Sequence, residues 1–283
     1  MNGVYMDDGC ICWVVALLNE AKPLIEKLRL KNLSINSLHS IYANDAGTDW
    51  LVLTGVGQLN AASGSASLYQ ACPKSNSANW VNIGIAGGGT NSIGELFYVR
   101  SVRQKSINIK KSFYPFILPN IKIKTADLIT TDLPETNYNQ EALFDMESWA
   151  FYKILQKKIT RELISVFKVV SDNSVESLNS LNKHSISSLI EGKFDVLGDF
   201  RNKAYALSKE ELRRKKNPEG FDLLKEKFHF TFTQTQELKY LLKRWHILKP
   251  GKCLASEVIN HNNAKAVLND MNTILDEIEV DWG

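Results

Sequence analysis

Residues 49–62 read DWLVLTGVGQLNAA, and this stretch decides the fold class. Its first part, Asp49–Thr54, is a mostly apolar run of the kind found in strands that are buried on both faces. Residues 55–57, GVG, predict a turn, because glycine adopts positive φ at little cost. The small residues that follow predict a helix over Asn60–Cys72 that packs closely on a sheet. A strand that turns directly into a helix is the repeating unit of α/β proteins.

The same pattern recurs on both sides of this unit. Further apolar runs that predict strands are Ile11–Leu18, Trp80–Ile85, Leu96–Val102, Asp127–Thr130 and Ile164–Val170. Helical spacing of apolar residues predicts helices over Glu20–Leu30 and Phe144–Lys157. Because strands that alternate with helices need crossover connections, the sequence predicts an α/β fold with helices layered on a largely parallel sheet.

Length and composition exclude several classes of protein. The chain has 283 residues, of which 44% are hydrophobic and 23% charged, which argues against disorder and against a collagen-like repeat. The net charge of +3 gives no long-range field of the kind that marks a nucleic-acid-binding protein. The run from Cys10 to Leu18 is about half as long as a membrane-spanning helix, and the first nine residues carry no Lys or Arg. We therefore expect a cytoplasmic protein without membrane contact.

The four cysteines, Cys10, Cys12, Cys72 and Cys253, are too few and too scattered for a disulfide framework. No His or second cysteine pair lies near Cys10 and Cys12 in the sequence to complete a tetrahedral zinc site. Gly55 and Gly57 lack the third glycine of a dinucleotide fingerprint, and no G-x-x-x-x-G-K-[ST] motif occurs. The sequence therefore predicts neither a metal site nor a cofactor.

The composition changes near residue 190. Residues 193–250 hold 14 Lys and Arg against 8 Asp and Glu, so the basic excess of the chain lies in this segment. We divide the chain into an α/β core over residues 1–190, a basic helical appendage over 191–250 and a C-terminal helix within 251–283 that we expect to pack back on the core. Charge runs such as Arg213–Lys216 are most often solvated helix faces; a lid or a nucleic-acid contact is the less favoured alternative.

Three acidic residues stand where predicted strands end or helices begin. Glu20 follows the first strand, Asp172 follows the strand over Ile164–Val170, and Glu147 lies in the segment DMES at 145–148. The carboxyl ends of the strands of an open α/β sheet converge on one crevice, so acids from distant stretches can meet there. One such acid is usually a helix cap or a solvated turn, but three together favour a shared site.

Four segments, taken in order, resemble motifs of one known enzyme family. They are VLTGVGQLNAA at 52–62, VNIGIAGG at 81–88, DMES at 145–148 and VVSDN at 169–173. Their sequences and their order resemble the purine nucleoside phosphorylase and methylthioadenosine/S-adenosylhomocysteine nucleosidase superfamily. The resemblance implies a three-layer αβα fold with a central, largely parallel but mixed sheet, here carrying a helical C-terminal insertion.

The resemblance also implies roles for individual residues around a small-molecule nucleoside. Asp172 is the general acid toward purine N7 and Ser171 helps to hold it, while Glu20 orients or deprotonates the attacking water. Glu147 accepts hydrogen bonds from the ribose hydroxyls and Met146 packs on the sugar. Substrate-binding residues implied in addition are Ala86, Gly87 and, from the segment Asp127–Pro134 that is expected to meet the base, Asp132. Relatives of this fold are commonly homo-oligomers, so we expect self-association.

Water and phosphate are both possible nucleophiles in this superfamily. The phosphorylase branch gathers phosphate with a loop that bears arginine after the first strand, whereas this chain reads Leu18-Asn19-Glu20-Ala21 there. A carboxylate repels phosphate, so hydrolysis is favoured over phosphorolysis. Departures from the pattern are Lys168 in place of a common arginine, Trp149 in place of a small residue, and a short segment between Ala86 and Met146. They keep open a catalytically inactive nucleoside-sensing module, and the basic segment over residues 193–250 keeps open, more weakly, a glycosidase directed at nucleic acid.

Overall fold

The computed structural model describes residues 8–33, 37–105, 111–138, 141–175 and 183–278. The chain forms two compact units, Met1–Arg214 and Lys215–Gly283. The first unit is a mixed α/β structure and the second is helical.

The first unit contains one sheet. Its described strands are β1 (Ile11–Val15), β2 (Lys31–Asn32), β3 (Ser40–Ala43), β4 (Asp49–Leu53), β5 (Asn79–Gly87), β6 (Leu96–Gln104), β7 (Ser112–Phe113), β8 (Lys124–Thr130), β9 (Leu143–Asp145) and β10 (Ile164–Asp172). The helices of this unit are α1 (Leu18–Lys27), α2 (Gln58–Ala71), α3 (Ser148–Leu155), α4 (Lys183–Glu191) and α5 (Phe194–Lys215), with a single 3₁₀ turn at Arg161–Leu163. Helix α5 ends one residue past the boundary between the units.

Strand β5 is the centre of the sheet. It pairs in parallel with β1 on one side and with β10 on the other, and β1 pairs in parallel with β4. Antiparallel β3 and β2 extend the edge beyond β4. On the other side, β10 pairs with β6, β6 with β8, β8 with β9, and β9 returns to β5. The sheet therefore closes on itself through five strands, and its pairing is mixed but largely parallel, as predicted.

Helices cover both faces of the sheet, because its strands are apolar on both faces. On one face, Val14 and Val52 join an apolar cluster with Leu68 of α2 and Phe151 of α3. On the other face, Trp13 and neighbouring side chains pack against residues from α1, α4 and α5. The three-layer αβα architecture follows from this burial.

The second unit has a hydrophobic core of its own. Its helices are α6 (Phe221–Lys227), α7 (Phe232–Leu248), α8 (Leu254–Val258) and α9 (Ala264–Asp276). Residues 237–245 read ELKYLLKRW, in which apolar and charged residues alternate at helical spacing and predict an amphipathic helix. This stretch lies in α7, which begins with a cap in which the Thr231 hydroxyl accepts a hydrogen bond from the Gln234 amide. Apolar residues of α9, among them Val267 and Met271, are buried in the same core as α7 and α8, whereas the sequence predicts that this last helix packs on the α/β core.

The observed division of the chain falls after Arg214 rather than at the predicted residue 190. The reason is the apolar face of α5, whose Phe200 ring lies 5.9 Å from Tyr98 and 4.6 Å from Phe167 of the sheet, centroid to centroid. Composition marks the basic end of this helix but not its buried beginning. At that basic end, Arg214 forms an ion pair of 2.7 Å with Glu211, three residues earlier in the helix.

Two further predictions can be compared with the structure. Phe144, predicted to begin a helix, belongs to strand β9, and the helix α3 begins only at Ser148. The sequence contains no apolar run of membrane-spanning length, and in the described part of the chain no helix is long and apolar enough to cross a membrane.

Candidate active site

A cavity of about 290 Å³ lies at the carboxyl ends of β1, β5, β8, β9 and β10. The predicted residues Glu20, Glu147 and Asp172 all line it. These acids come from the first turn of α1, the start of α3 and the last position of β10. The strand ends bring together residues that are up to 152 positions apart in the chain, which is the physical basis for a shared site.

Glu20 is almost completely buried and is held by backbone amides. Its Oε1 accepts a hydrogen bond of 2.8 Å from the Ile85 amide, and its Oε2 accepts one of 2.9 Å from the Leu17 amide at the start of α1. Burial raises the pKa of Glu20, although these hydrogen bonds and the charge of Lys168 oppose the shift. A raised pKa makes this carboxylate a better proton acceptor than an exposed one.

Gly84 makes room for the Glu20 carboxylate. A Cβ atom at position 84 would lie 2.7 Å from Glu20 Oε1, closer than real Cβ contacts come. The glycine at this position of β5 is therefore required by the close approach of the acid and not by an unusual φ angle. The sequence marks Gly84 only as one glycine of a glycine-rich turn.

Glu147 precedes α3 and faces the glycine turn after β4. Its Oε1 accepts a hydrogen bond of 2.8 Å from the Gly57 amide, and Gly57 has a φ of 100°, which only glycine adopts readily. The Met146 amide lies 3.2 Å from Oε2. Burial, with a smaller effect of the neighbouring Asp145 charge, raises the pKa of Glu147 to about 7. This group therefore changes its charge near neutral pH.

Asp172 ends strand β10 and accepts hydrogen bonds from two hydroxyl groups. The Ser171 hydroxyl donates to Oδ1 over 2.5 Å, and the Tyr138 hydroxyl donates to Oδ2. Asp172 pairs in the sheet with Gly87 of β5, so the acid stands beside the backbone of the glycine-rich segment. Both of its carboxylate oxygens are occupied in the structure.

Tyr138 enters the cavity from the segment that follows β8. Its hydroxyl lies against Gly87, where a Cβ atom would collide with it, and its ring centroid lies 5.6 Å from that of Phe144. Burial, together with the hydrogen bond to Asp172, raises the pKa of Tyr138, so its hydroxyl is a proton donor in this contact. Tyr138 was not predicted as a site residue, because no periodic pattern in the sequence marks the segment that carries it.

An ion pair lies buried behind the acids. Lys168 Nζ is 2.9 Å from Asp145 Oδ2, and both side chains are at most 2% exposed. Asp145 also accepts hydrogen bonds from the hydroxyl groups of Thr130 and Ser148, at 2.6 and 2.5 Å. Burial alone would raise the pKa of Asp145, but the Lys168 charge and these hydrogen bonds lower it. The pair therefore stays charged, and Lys168 balances part of the negative charge of the site.

The remaining predicted residues fall into two groups. Met146, Ser171, Ala86 and Gly87 line the cavity with the three acids. Asp132 does not line it: its side chain is exposed and accepts a hydrogen bond of 2.6 Å from Gln58. The physical reason is that the Thr131 amide is tied to the Asp145 carbonyl at 2.7 Å, after which the chain turns outward. Other residues of the same segment, Thr131 and Pro134 to Glu135, line the cavity instead.

The lining is acidic, although two of its acids are paired with cations outside it, Asp145 with Lys168 and Glu135 with Lys105. Among the cavity-lining residues that the structure describes, Glu20, Glu135, Asp145, Glu147 and Asp172 are acidic and none is Lys or Arg. An anionic ligand group would therefore meet repulsion here, whereas hydroxyl and N–H donors would find acceptors.

Three buried thiols meet elsewhere in the first unit. The sulfur atoms of Cys10, Cys12 and Cys72 lie within 4.8 Å of one another, although the sequence spacing predicts no metal site. Structural zinc sites use four ligands, and within the described residues this cluster offers three. Burial raises the pKa of the Cys12 thiol, and the cluster packs with apolar side chains such as Val14 and Leu68.

Comparisons with known proteins support the fold and leave the function to be argued from the site. No model of a known protein family matches the chain, and no curated protein sequence matches it. Solved structures do match. The 5′-methylthioadenosine nucleosidase of Arabidopsis thaliana is 21% identical with a TM-score of 0.59, over 69% of this chain and 96% of that one. A futalosine hydrolase mutant from Helicobacter pylori strain 26695 is 11% identical with a TM-score of 0.56, over 69% and 99% of the two chains.

A methylthioadenosine/S-adenosylhomocysteine nucleosidase gives a similar result, with 19% identity and a TM-score of 0.56 over 69% of this chain and 96% of that one. The chain therefore has the fold that these nucleosidases share, in agreement with the resemblance of its four motifs. Each of these structures is matched over almost its whole length, while about a third of this chain has no counterpart in them.

Proposed function

We propose that the protein is a nucleosidase that hydrolyses the N-glycosidic bond of a purine nucleoside or a 5′-modified adenosine. The observation that carries the proposal is the meeting of Glu20, Glu147 and Asp172 in one cavity of about 290 Å³. That volume is close to the lower limit of sites for small organic ligands, about 300 Å³. The fold shared with nucleosidases supports the same reaction class.

Cleavage of the glycosidic bond needs a proton at the base and a nucleophile at the sugar. In the proposed reaction the electron pair of the C1′–N9 bond moves into the purine while Asp172 delivers a proton to N7. The oxygen of a water molecule bonds to C1′ and passes its proton to Glu20. The products are the free base and the free sugar, so atoms and charges balance without a cofactor.

The sugar is held by the acid between these two groups. Glu147, anchored by the Gly57 amide at 2.8 Å, is proposed to accept hydrogen bonds from the ribose hydroxyls, with Met146 packed on the ring. The transition state resembles an oxocarbenium ion, whose positive charge the surrounding carboxylates stabilise. The base is proposed to lie beside Ala86 and Gly87, where Asp172 reaches its edge.

Water is favoured over phosphate by the charges of the lining. A phosphate nucleophile would have to bind among carboxylates, and no Lys or Arg of the described lining faces it. Lys168 is engaged with Asp145. Phosphorolysis is the alternative reaction, and it predicts a phosphate requirement that hydrolysis does not have.

The test is a panel of purine nucleosides and 5′-methylthioadenosine, incubated with the purified protein with and without inorganic phosphate while free base is measured. Release in both conditions supports hydrolysis, and release only with phosphate identifies a phosphorylase. Tight nucleoside binding in calorimetry without release identifies a sensing module and contradicts catalysis.

Asp172 is the residue on which the proposed proton transfer depends. Asp172→Asn keeps the size of the side chain but has no acidic proton, so turnover should fall at least about 10²-fold. A matched control is Asp199→Asn on α5, at a position outside the cavity lining. Near-normal turnover of Asp172→Asn would reject its role as general acid.

Self-association is proposed from exposed apolar residues beside the cavity. Val56 lines the cavity and is 44% exposed, and Leu59 and Leu133 are 83% and 77% exposed. The hydrogen bond from Gln58 to Asp132 joins the segments that carry Leu59 and Leu133. A second copy of the chain would cover this patch. Sedimentation of the wild type should show a dimer or larger, and Leu59→Glu should shift it toward the monomer.

A further inference from the structure

The hydroxyl of Tyr138 stands where the proposed base has to bind. It donates a hydrogen bond to Asp172 Oδ2 and lies directly against Gly87. Its ring packs beside Phe144, which also lines the cavity. Ala86, Gly87 and Asp172 are the residues proposed to meet the base, so Tyr138 and a purine cannot occupy this end of the cavity together.

The hydrogen bonds of Asp172 also bear on its chemistry. In the structure both oxygens accept, one from Ser171 and one from Tyr138. A carboxylate that accepts on both oxygens can act as a general acid only after it takes up a proton, and that proton must face the base. The oxygen nearest the base is the one that Tyr138 covers, so Tyr138 is the hydroxyl donor that has to be displaced.

Ser171 is the more deeply buried of the two donors. It lies within strand β10, is 1% exposed and stands 3.3 Å from the carbonyl oxygen of Ala86. Tyr138 lies outside the regular strands, in the segment after β8, and its side chain is only partly buried. Displacing Tyr138 therefore breaks fewer contacts of the sheet than displacing Ser171 would.

We propose that Tyr138 is a competing ligand built into the site: it donates a hydrogen bond to Asp172 in the unliganded protein, and the base of the substrate displaces it and hydrogen-bonds to Asp172 in its place. The inference rests on the proposed nucleosidase function and adds a residue to it. Binding is then an exchange, in which Asp172 gives up the hydrogen bond from Tyr138, takes up a proton from solvent and donates it in a hydrogen bond to purine N7. The competition weakens binding of every base by the same factor and leaves the chemical step unchanged.

The exchange predicts an unusual result for the variant Tyr138→Phe. Phenylalanine keeps the ring against Phe144 but makes no hydrogen bond to Asp172, so the base no longer has to break one. Hydrogen bonds to charged groups are strong enough that adenine should bind about tenfold more tightly. In turnover assays KM should fall by about the same factor, and kcat should not decrease. Tyr114→Phe, whose side chain is 57% exposed, is the control and should change neither.

A double-mutant cycle tests whether the tighter adenine binding of Tyr138→Phe depends on the charge of Asp172. Calorimetry with adenine on wild type, Tyr138→Phe, Asp172→Asn and the double variant should show that the gain shrinks to less than half when position 172 is uncharged. In the wild type, hydrogen exchange of backbone amides over residues 134–138 should become faster when adenine is added. This last measurement needs no variant.

The outcomes separate the inference from the function. The competition between Tyr138 and the base is overturned if the wild type binds adenine and releases base but Tyr138→Phe binds adenine no more tightly. It is also overturned if hydrogen exchange over residues 134–138 does not become faster when adenine is added. In both cases the proposed nucleosidase function is retained. Weaker binding by Tyr138→Phe overturns it too, since Tyr138 would then hold the base. If no protein binds adenine or releases any base, the proposed function fails and the inference fails with it.

Discussion

Replacing Glu147 with Gln is expected to make the protein more stable at alkaline pH while removing activity. The pKa of Glu147 rises from 4.5 to about 7 on folding, mainly through burial. The folded state therefore binds the proton of this group more tightly than the unfolded state does. Such a group contributes its stabilisation fully below the unfolded pKa, and the contribution is lost as pH rises through the folded pKa.

The size of the effect follows from the same two values. Each tenfold difference in proton affinity corresponds to about 1.4 kcal/mol, so a pKa that moves from 4.5 to about 7 amounts to about 3 kcal/mol. Glutamine has nearly the same shape and does not titrate. The free energy of unfolding of Glu147→Gln, relative to wild type, should therefore increase by up to about 3 kcal/mol between pH 4.5 and pH 8.

The assay is urea unfolding of both proteins at pH 4.5, 6 and 8, followed by tryptophan fluorescence. Trp13 and Trp80 are buried in the first unit and report on its unfolding. Glu26→Gln, at an exposed position of α1, is the control and should show no pH-dependent difference. If the free energies of unfolding of Glu147→Gln and wild type differ by the same amount at all three pH values, the claim that burial raises the pKa of Glu147 is refuted. Base release by Glu147→Gln should fall at all pH values, because an amide binds the ribose hydroxyls less strongly.

Three further predictions concern the groups around the acids. Gly84→Ala should lower kcat/KM at least about tenfold, because the added Cβ atom displaces the Glu20 carboxylate. The control is Gly198→Ala, where the added Cβ atom meets open space and kcat/KM should not change. Equal activity of the two variants would contradict the close approach of Glu20 to Gly84. Lys168→Met should lower the free energy of unfolding by about 3–5 kcal/mol, because it leaves Asp145 charged and unpaired in the core; a thermal melt within a degree of wild type would be inconsistent with this pair. The rate should decline toward acid pH with an apparent pKa above 4.5, because Glu20 must be ionised to accept a proton and burial raises its pKa; a rate that is constant down to pH 4.5 would exclude Glu20 as the base.

The fold was predictable from the sequence where elements are long and apolar. All six strands predicted from apolar runs are present, as β1, β4, β5, β6, β8 and β10. Helices α1, α2, α7 and α9 also lie where helices were predicted. The short strands β2, β3, β7 and β9 were not predicted, because two to four residues are too few to show a period. Phe144 illustrates the limit: its apolar neighbours suit a helix, but pairing with Gly87 of β5 and Ile129 of β8 places it in the sheet.

The candidate site was predictable only in part. Acids at strand ends could be found because the sheet dictates where strand ends meet, and the structure brings Glu20, Glu147 and Asp172 to one cavity. Tyr138 and Glu135 lie in an irregular segment whose course depends on tertiary contacts, and Asp132 turns outward for the same reason. The pairing of Lys168 with Asp145 joins β10 and β9, which follow one another along the chain but pair with other strands in the sheet, and neither residue alone signals it.

The acidic lining of the cavity has a consequence for the choice of substrates inside a cell. Most purine ribosides there carry 5′-phosphate groups, and one such group brings about two negative charges at neutral pH. The described lining of the cavity holds acidic residues and no Lys or Arg, and only Asp145 and Glu135 among these acids are paired with a nearby lysine. Such a lining disfavours a 5′-phosphate group, so if the protein is a nucleosidase, AMP should be a poorer substrate than adenosine.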